Sequence, residues 1–311
     1  MEIKNIKIGN ITTENNVFLA PLAGYSDAAL RIICSNYGAS LAFTEMVSCK
    51  CLKYNPEKSL ELLYTYPEEK LKAVQIFGND PEIMGEIACS KYLEKFQLID
   101  INMGCPVPKI YNNKEGSYLL NDMPLASKII KAVKKSKKPV SVKFRIGIKE
   151  GEFVASDFAK MCEDSGADMI TIHGRVKTAI YSGKCNFEEI KKAKRSVKIP
   201  VIGNGGIFSL ADAEEMMEKA EVDGVMVARG AMNNPMIFAE ILGKEVKTPL
   251  KDIMLKHLRL LTERYGSERT AVVFRKQMAF YLKGLKDSRR LKDVVFSATK
   301  AEDVEKVILS L

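Results

Sequence analysis

The sequence of 311 residues predicts a parallel (β/α)₈ barrel followed by a small helical domain. Two observations support this fold class. Eight short apolar runs, each of strand length, lie between residues 17 and 228, and segments with helical spacing separate most of them. Eight such units over about 240 residues fit a closed barrel better than a doubly wound open sheet, which is the competing architecture.

The apolar runs are continuous rather than alternating, as in strands that are buried on both faces of a parallel sheet. The predicted strands are Val17–Ala20, Ser40–Glu45, Lys72–Phe77, Leu98–Asn102, Val140–Arg145, Met169–His173, Pro200–Gly203 and Gly224–Ala228. Apolar residues recur at helical spacing in the segments between them. The predicted helices are Asp27–Tyr37, Ile83–Phe96, Pro124–Lys135, Phe153–Ser165, Phe187–Arg195 and Ala211–Lys219.

The regular alternation ends past Phe238. Amphipathic helices follow, and they are predicted at Leu250–Tyr265, Glu268–Leu282 and Ala301–Leu311. We therefore expect the chain to divide into a barrel that carries the candidate site (residues 1–242), a linker (residues 243–250) and a basic helical domain (residues 251–311).

The positive charge is concentrated in the last fifth of the chain. The formal net charge is +9, and residues 251–311 contain 14 Lys and Arg against 8 Asp and Glu. This distribution suits an anionic macromolecule such as nucleic acid, although the solvated face of a Lys-rich helix would look similar. No apolar stretch approaches the roughly 20 residues of a membrane span, and the N-terminus lacks a signal-peptide core. We therefore expect a cytoplasmic protein with no membrane partner and no obligate protein partner.

The seven cysteines form neither a metal-binding nor a disulfide pattern. Their number is odd, no CxxC occurs, and the only histidines are His173 and His257. We expect no metal site, and we expect reduced thiols that are mostly buried like small apolar side chains. Cys105 is the exception, because it lies in the segment DINMGCPVPKI, a turn stiffened by Gly and Pro directly after a predicted strand.

Polar or Gly-containing segments follow seven of the eight predicted strands. In a parallel barrel these positions meet at one end, where the active sites of this fold lie. The turns after the seventh and eighth strands contain Asn204, Gly205, Gly206, Ala228 and Arg229. Because Gly lets the backbone approach a ligand closely and Arg adds charge-assisted hydrogen bonds, the two turns suit a phosphate group. Either turn taken alone could equally be a plain connection.

Lys143 and Arg145 stand two positions apart on a predicted strand, so both side chains point into the closed barrel. Two buried cations need an anionic partner. A reduced flavin would supply one for Lys143, while ion pairs with Asp100 or Glu45 are the alternative.

Three other strand ends carry side chains that both donate and accept hydrogen bonds. Gln75 suits the uracil-like edge of a flavin, or it is a hydrogen-bonded residue of a barrel layer. His173 suits a flavin ring or a neighbouring carbonyl. Asn102 suits the edge of a pyrimidine substrate.

Cys105 is expected to act as a proton donor. An unperturbed thiol has a pKa of about 8.5 and is mostly protonated at neutral pH, so it can serve as a general acid. No second His is available in the barrel to make a Cys–His nucleophile. Gly104 and Pro106 would fix the direction of the thiol. A purely structural Cys in a tight turn is the alternative.

Eight motifs together resemble the tRNA-dihydrouridine synthases, and most closely the bacterial B-type enzymes. The motifs occur in consistent order along the chain: APLAG (20–24), EMVS (45–48), QIFG (75–78), DINMGCPVPKI (100–110), VKFRIG (142–147), TIHGR (171–175), PVIGNGGI (200–207) and VARGAMNNP (227–235). The resemblance implies an FMN-dependent oxidoreductase that uses NADPH to reduce the 5,6 double bond of particular tRNA uridines. It implies hydride transfer from flavin N5 to uracil C6 and proton transfer from Cys105 to C5.

The resemblance also assigns the site residues. The implied cofactor-binding residues are Pro21, Leu22, Ala23, Gln75, Lys143, His173, Asn204, Gly205, Gly206, Ala228 and Arg229. The implied substrate contacts are Asn102, Lys109, Arg145 and Arg175. The basic helical domain would bind the tRNA. The alternatives are an FMN-dependent dihydroorotate or dihydropyrimidine dehydrogenase that acts on free bases, and an RNA-binding relative that has lost catalysis.

Overall fold

The computed structural model describes residues 1–311 and contains a closed barrel of eight parallel strands. A short antiparallel hairpin of β1 (Lys7–Ile8) and β2 (Ile11–Thr12) precedes the barrel. The barrel strands are β3 (Val17–Leu19), β4 (Leu41–Ser48), β5 (Lys72–Phe77), β6 (Leu98–Met103), β7 (Val140–Arg145), β8 (Met169–His173), β9 (Val201–Asn204) and β10 (Gly224–Val227). Each strand pairs with the next along the chain, and β10 closes the barrel by pairing with β3. The predicted barrel is therefore confirmed.

Helices connect the strands and continue beyond the last one. They are α1 (Ala28–Asn36), α2 (Cys49–Tyr54), α3 (Glu57–Leu62), α4 (Pro81–Ala88), α5 (Pro108–Asn112), α6 (Met123–Lys134), α7 (Ala155–Asp164), α8 (Phe187–Arg195), α9 (Leu210–Ala220), α10 (Arg229–Asn233), α11 (Ile237–Ile241), α12 (Leu250–Tyr265), α13 (Ser267–Val273), α14 (Arg275–Tyr281), α15 (Ser288–Ser297) and α16 (Ala301–Leu309). Two 3₁₀ helices cover Lys91–Leu93 and Gly116–Asn121. None of the helices has the length and apolar composition needed to cross a lipid bilayer.

Two of the predicted helices are each interrupted within the predicted range. The single helix predicted over Ile83–Phe96 is wrong, because α4 ends at Ala88 and a separate 3₁₀ turn follows. The single helix predicted over Glu268–Leu282 divides at Phe274 into α13 and α14. Helix α15 was not predicted, since the charged run at its start hides its apolar side.

Two layers of side chains fill the barrel region. The larger core contains 53 buried residues and lies between the outer surface of the strands and the surrounding helices. A second cluster, of 11 buried residues, fills the interior and includes Phe18, Phe43 and Met169. Ile6 and Ile8 from the N-terminal hairpin pack into this cluster at the starts of the strands. The hairpin therefore closes the amino end of the barrel, and the carboxyl ends of the strands are left to form a site.

Helices α12–α16 build a third core of 16 buried residues, which also includes Ala29 of α1. Polar contacts attach this helical unit to the barrel. The Tyr66 hydroxyl donates to the Leu260 carbonyl at 2.9 Å, and the Gln277 amide donates to the Met232 carbonyl at 2.7 Å. The C-terminal helices are thus seated against the end of the barrel where the strands terminate. Their role in tRNA binding stays a prediction.

Candidate active site

A cavity of about 400 Å³ opens at the carboxyl ends of the barrel strands. Every one of the eight strands contributes a lining residue from its carboxyl end or the turn that follows. Of the sequence-predicted site residues, those that line the cavity are Pro21, Leu22, Ala23, Gln75, Asn102, Cys105, Lys143, Arg145, His173, Asn204, Gly205, Gly206, Ala228 and Arg229. The fold therefore brings nearly the whole predicted set together.

Two predicted residues do not line the cavity. Lys109 is exposed on the short helix α5, just beyond the Cys105 turn. Arg175 is buried, and its guanidinium donates to the carbonyls of Ser182 and Gly183 in the loop after β8, at 2.9–3.2 Å. Their roles as substrate contacts stay predictions.

The turns after β9 and β10 form a cradle whose free donors suit an anion. Gly205 and Gly206 have φ angles of +119° and +77°, which side chains rarely tolerate. The backbone N–H groups of Gly205, Gly206 and Arg229 donate to no acceptor within the protein. The Arg229 guanidinium stacks over the rings of Tyr181 and Phe208, at 4.6 and 5.6 Å from their centroids. Unpaired N–H donors beside an Arg without a carboxylate partner are the donor set that a phosphate needs.

Asn204 holds Lys143 rather than pointing its amide into the cradle. Its Oδ1 accepts from Lys143 Nζ at 3.0 Å, and its Nδ2 donates to the Met226 carbonyl at 2.8 Å. Lys143 makes no ion pair with Asp100 or Glu45. Burial, assisted by the neighbouring Arg145, lowers the pKa of Lys143 to about 8. The ammonium group is thus poorly compensated and is aimed at the cavity.

His173 is neutral, and its tautomer follows from one contact. Its Nε2 lies 3.3 Å from Arg175 Nη1, and because a guanidinium can only donate, Nε2 is the acceptor. The proton therefore resides on Nδ1, which has no partner in the protein. Burial and the surrounding cations, Arg145 foremost, hold the pKa of His173 well below its ordinary value. His173 offers the cavity a neutral N–H donor.

Hydrogen bonds fix the Cys105 turn from both sides. Asn102 Oδ1 accepts from the backbone N–H groups of Gly104 and Cys105 at 3.2 and 2.9 Å. The Cys105 carbonyl accepts from the backbone N–H and the hydroxyl of Ser117 at 3.1 and 2.8 Å. Burial raises the pKa of the Cys105 thiol, so the thiol keeps its proton at neutral pH. The turn presents a fixed, protonated sulfur to the cavity.

Arg145 ties this turn to the loop after β8. Its Nε donates to the Gly104 carbonyl at 2.9 Å, and its Nη1 donates to the carbonyls of Val176 and Ile180 at 3.1 and 2.9 Å. The guanidinium is therefore held by backbone carbonyls, and it forms no ion pair with Asp100 or Glu45. Only part of its donor capacity is left for a substrate.

Comparison with known proteins identifies the family. The family model described as dihydrouridine synthase matches residues 18–310.

The chain belongs to the dihydrouridine synthase family.

Two of its relatives show how far the similarity extends. A protein named probable tRNA-dihydrouridine synthase from Rickettsia bellii is 37% identical over 301 residues, covering 93% of this chain and 92% of the relative. The tRNA-dihydrouridine synthase B of Pasteurella multocida is 35% identical over 290 residues, covering 90% of this chain and 87% of the relative. The resemblance predicted from the motifs is confirmed, and membership of the dihydrouridine synthases makes the chain a flavin-dependent oxidoreductase.

Solved structures support the fold at much lower identity. Morphinone reductase superposes with a TM-score of 0.56 at 12% identity, covering 79% of this chain and 90% of its own. A variant of NCR from Zymomonas mobilis gives a TM-score of 0.55 at 15% identity, covering 78% of this chain and 92% of its own. These likenesses show that the chain shares its barrel fold with those proteins.

The residues present fit FMN. The cradle of free N–H groups and Arg229 suits its phosphate, and the short apolar stretch Pro21–Ala23 can lie against a flat ring. Lys143 and the Nδ1–H of His173 supply a cation and a neutral donor, as a flavin edge that gains negative charge on reduction requires. No group of three or more His, Cys, Asp or Glu side chains is placed to hold a metal ion.

Several aromatic residues of the cavity were missed in the sequence. Tyr25 and Phe280 meet edge to face in the wall, with ring centroids 5.3 Å apart. Tyr25 directly follows the APLAG motif, and Tyr181 and Phe208 lie in turns after predicted strands, so position alone could have suggested these three. Phe280 belongs to α14 and carries no local signal, because only the docking of the C-terminal helices brings it to the barrel mouth.

Two neighbouring glycines provide a test of the cradle. A Cβ at Gly205 would lie 2.7 Å from His173 Cδ2 and 2.8 Å from Cys185 Sγ, whereas a Cβ at Gly206 would meet only Arg175 Nη2 at 3.7 Å. Both Ala substitutions strain a backbone with positive φ, the strain is greater at Gly205, whose φ of +119° lies outside the left-handed helical region, and only Gly205→Ala must also displace His173. We expect Gly205→Ala to weaken FMN binding at least about tenfold more than Gly206→Ala in a fluorescence titration. Equal affinities in the two variants would contradict this geometry.

The Lys143 ammonium predicts how flavin affinity depends on pH. Its pKa of about 8 in the free protein should rise when an anionic flavin binds. Affinity for reduced FMN should then be constant below about pH 7 and fall above about pH 8, because the neutral amine must take up a proton to bind. Anaerobic titrations between about pH 7 and 9.5 avoid the phosphate ionisation near pH 6. Lys143→Met should bind reduced FMN more weakly, and its affinity should no longer depend on pH in this range. If the variant keeps the pH profile of the wild type, Lys143 is not the group that causes it.

Proposed function

We propose that this protein is a tRNA-dihydrouridine synthase that reduces the 5,6 double bond of particular uridines in tRNA, with FMN as cofactor and NADPH as reductant. The observation that carries the proposal is the cavity, in which a fixed protonated thiol faces cations and an anion cradle in a member of the dihydrouridine synthase family. The names of the relatives from Rickettsia bellii and Pasteurella multocida support tRNA as the substrate.

The cofactor is assigned to the residues that fit it. Gly205, Gly206, Ala228 and Arg229 would hold the FMN phosphate. The ring would be held by Pro21, Leu22, Ala23, Gln75, Lys143 and His173, with Asn204 acting through Lys143. Bound FMN supplies the hydride that uracil C6 receives.

Cys105 completes the reduction by donating its proton to uracil C5. Hydride at C6 and a proton at C5 together saturate the double bond, and the thiolate that remains is reprotonated from solvent. Because Arg145 and Lys143 lie nearby, the thiolate forms in a positive field. The raised pKa of the free thiol keeps the proton in place until the base is bound.

The tRNA is assigned to the cavity mouth and the helical unit. A uridine must leave its stack to reach a site at the end of a barrel, and folded RNA is gripped through its shape and phosphates. Lys109 is exposed beside the Cys105 turn and suits a phosphate contact. Asn102, Arg145 and Arg175 make most of their hydrogen bonds within the protein. We therefore propose that these side chains shape the site around the base. The excess of Lys and Arg after residue 250 suits the remaining tRNA surface.

The free thiols of the chain are compatible with a location in the cytoplasm, where tRNA is processed. All seven are free thiols, as a reducing compartment allows. We propose that location for the protein.

Single-turnover kinetics of Cys105 variants test the proposal. Enzyme reduced with NADPH and mixed anaerobically with tRNA lacking dihydrouridine should be reoxidised and should yield dihydrouridine. Cys105→Ala should be reduced by NADPH normally but reoxidised about 10²–10⁴-fold more slowly, since a positioned acid is lost. Cys105→Ser should recover little, because a hydroxyl is a much weaker acid. Cys89→Ala, at an exposed thiol, is the matched control.

Two results would count against the proposal. Wild-type reduced enzyme that is not reoxidised by tRNA would exclude tRNA as the substrate. A Cys105→Ala enzyme that forms dihydrouridine as fast as wild type would exclude Cys105 as the acid.

A further inference from the structure

A buried carboxylate begins a chain of hydrogen bonds that ends at the Cys105 turn. Asp100 Oδ2 accepts from Gln75 Nε2 at 2.6 Å, and Gln75 Oε1 accepts from Asn102 Nδ2 at 2.9 Å. Asn102 Oδ1 in turn accepts from the backbone N–H of Cys105 at 2.9 Å. The hydrogen bonds are thus continuous from Asp100 through Gln75 and Asn102 to the backbone of Cys105.

The barrel register places these groups side by side. Gln75 of β5 pairs with Asp100 of β6, which pairs with Ser141 of β7. The Ser141 hydroxyl donates to Asp100 Oδ1 at 2.6 Å, so both carboxyl oxygens are occupied. Asp100 is 1% exposed and forms no salt bridge. A lone buried carboxyl group costs free energy that an apolar residue would not, so packing alone does not account for it.

The donors and acceptors in this series of hydrogen bonds follow one direction, which shape complementarity alone would not impose. The amide group of Gln or Asn has nearly the same shape when its oxygen and nitrogen are exchanged, so shape alone does not orient it. An acceptor at Asp100 forces the Gln75 NH₂ toward it and the Gln75 oxygen toward Asn102. Asn102 must then direct its NH₂ to Gln75 and its oxygen to the Cys105 turn. Exchanging either amide would set two N–H donors against each other.

We propose that Asp100 is a positioning residue, which orients Gln75 and Asn102 and thereby holds the Cys105 turn in its reactive arrangement. The expected effect on tRNA reduction rests on the proposed function, whereas the positioning of the turn does not. Burial raises the pKa of Asp100 to about 7, yet the proton of the neutral acid can face Ser141 Oγ. The acceptor toward Gln75 is therefore kept in both protonation states.

This mechanism predicts which substitutions are tolerated. Asp100→Asn keeps an oxygen for Gln75 and can donate to Ser141 Oγ, so the polarity of the chain is preserved. Asp100→Leu removes the acceptor from both the Gln75 amide and the Ser141 hydroxyl, and the flavin content of the purified variant shows whether it has folded. Thr171→Val is the matched control, because Thr171 is also buried in a barrel strand and its hydroxyl has no partner.

The experiment measures two properties of the flavin-loaded variants. The first is the rate at which iodoacetamide alkylates Cys105, followed by mass spectrometry with the exposed Cys89 as internal reference. The second is single-turnover reoxidation of reduced enzyme by tRNA. Asp100→Leu should change the alkylation rate at least about threefold and slow reoxidation at least about tenfold, since small misplacements of a reacting group are costly. Asp100→Asn and Thr171→Val should stay within about threefold of wild type in both.

The outcomes separate this inference from the proposed function. An Asp100→Leu enzyme that matches Thr171→Val in both measurements would overturn the positioning role, as would an Asp100→Asn enzyme as impaired as the Leu variant. Wild-type enzyme that is not reoxidised by tRNA, combined with the expected alkylation pattern, would support the positioning role and remove the proposed function.

Discussion

Positive charge without a carboxylate partner is the constraint on which the site depends. Lys143, Arg145, Arg175 and Arg229 meet at one end of the barrel, and none of them forms an ion pair. Elsewhere the same fold does pair a buried Arg, since Arg31 and Glu69 form a fully buried salt bridge at 2.9 Å. Burying an uncompensated cation costs several kcal/mol unless other groups replace its hydration. The site is therefore built to be completed by an anionic ligand.

The four cations solve this problem in two ways. Arg145 and Arg175 donate to backbone carbonyls, and through them the loop after β8 is tied to the Cys105 turn and to His173. Lys143 and Arg229 keep their charge available to the cavity. Arg145 and Arg175 thus fix the shape of the site. Lys143 and Arg229 supply positive charge that suits a phosphate and a flavin ring that gains negative charge on reduction. The buried Asp100 forms no salt bridge with any of them, and its hydrogen bonds go to the Gln75 amide and the Ser141 hydroxyl.

The barrel and most of the site could be predicted from the sequence, because both follow from local patterns. Continuous apolar runs mark strands buried on both faces, and a parallel barrel delivers the residues after each strand to one end, so Cys105, Lys143 and Gly205 could be brought together without coordinates. The partners of those residues could not be predicted. That Asn204 bonds Lys143, that Arg145 reaches the Gly104 carbonyl, and that Phe280 enters the cavity all depend on side-chain directions and helix docking. Such contacts join residues far apart in the chain and leave no pattern within either segment.

The most direct test of the central claim is a reaction in which substrates compete. Purified protein loaded with FMN is given NADPH together with tRNA lacking dihydrouridine and with free uracil and orotate, and the products are identified by mass spectrometry. The account predicts that uridines within the tRNA gain two hydrogens while the free bases remain unchanged. Reduction of a free base with the tRNA left intact would contradict it.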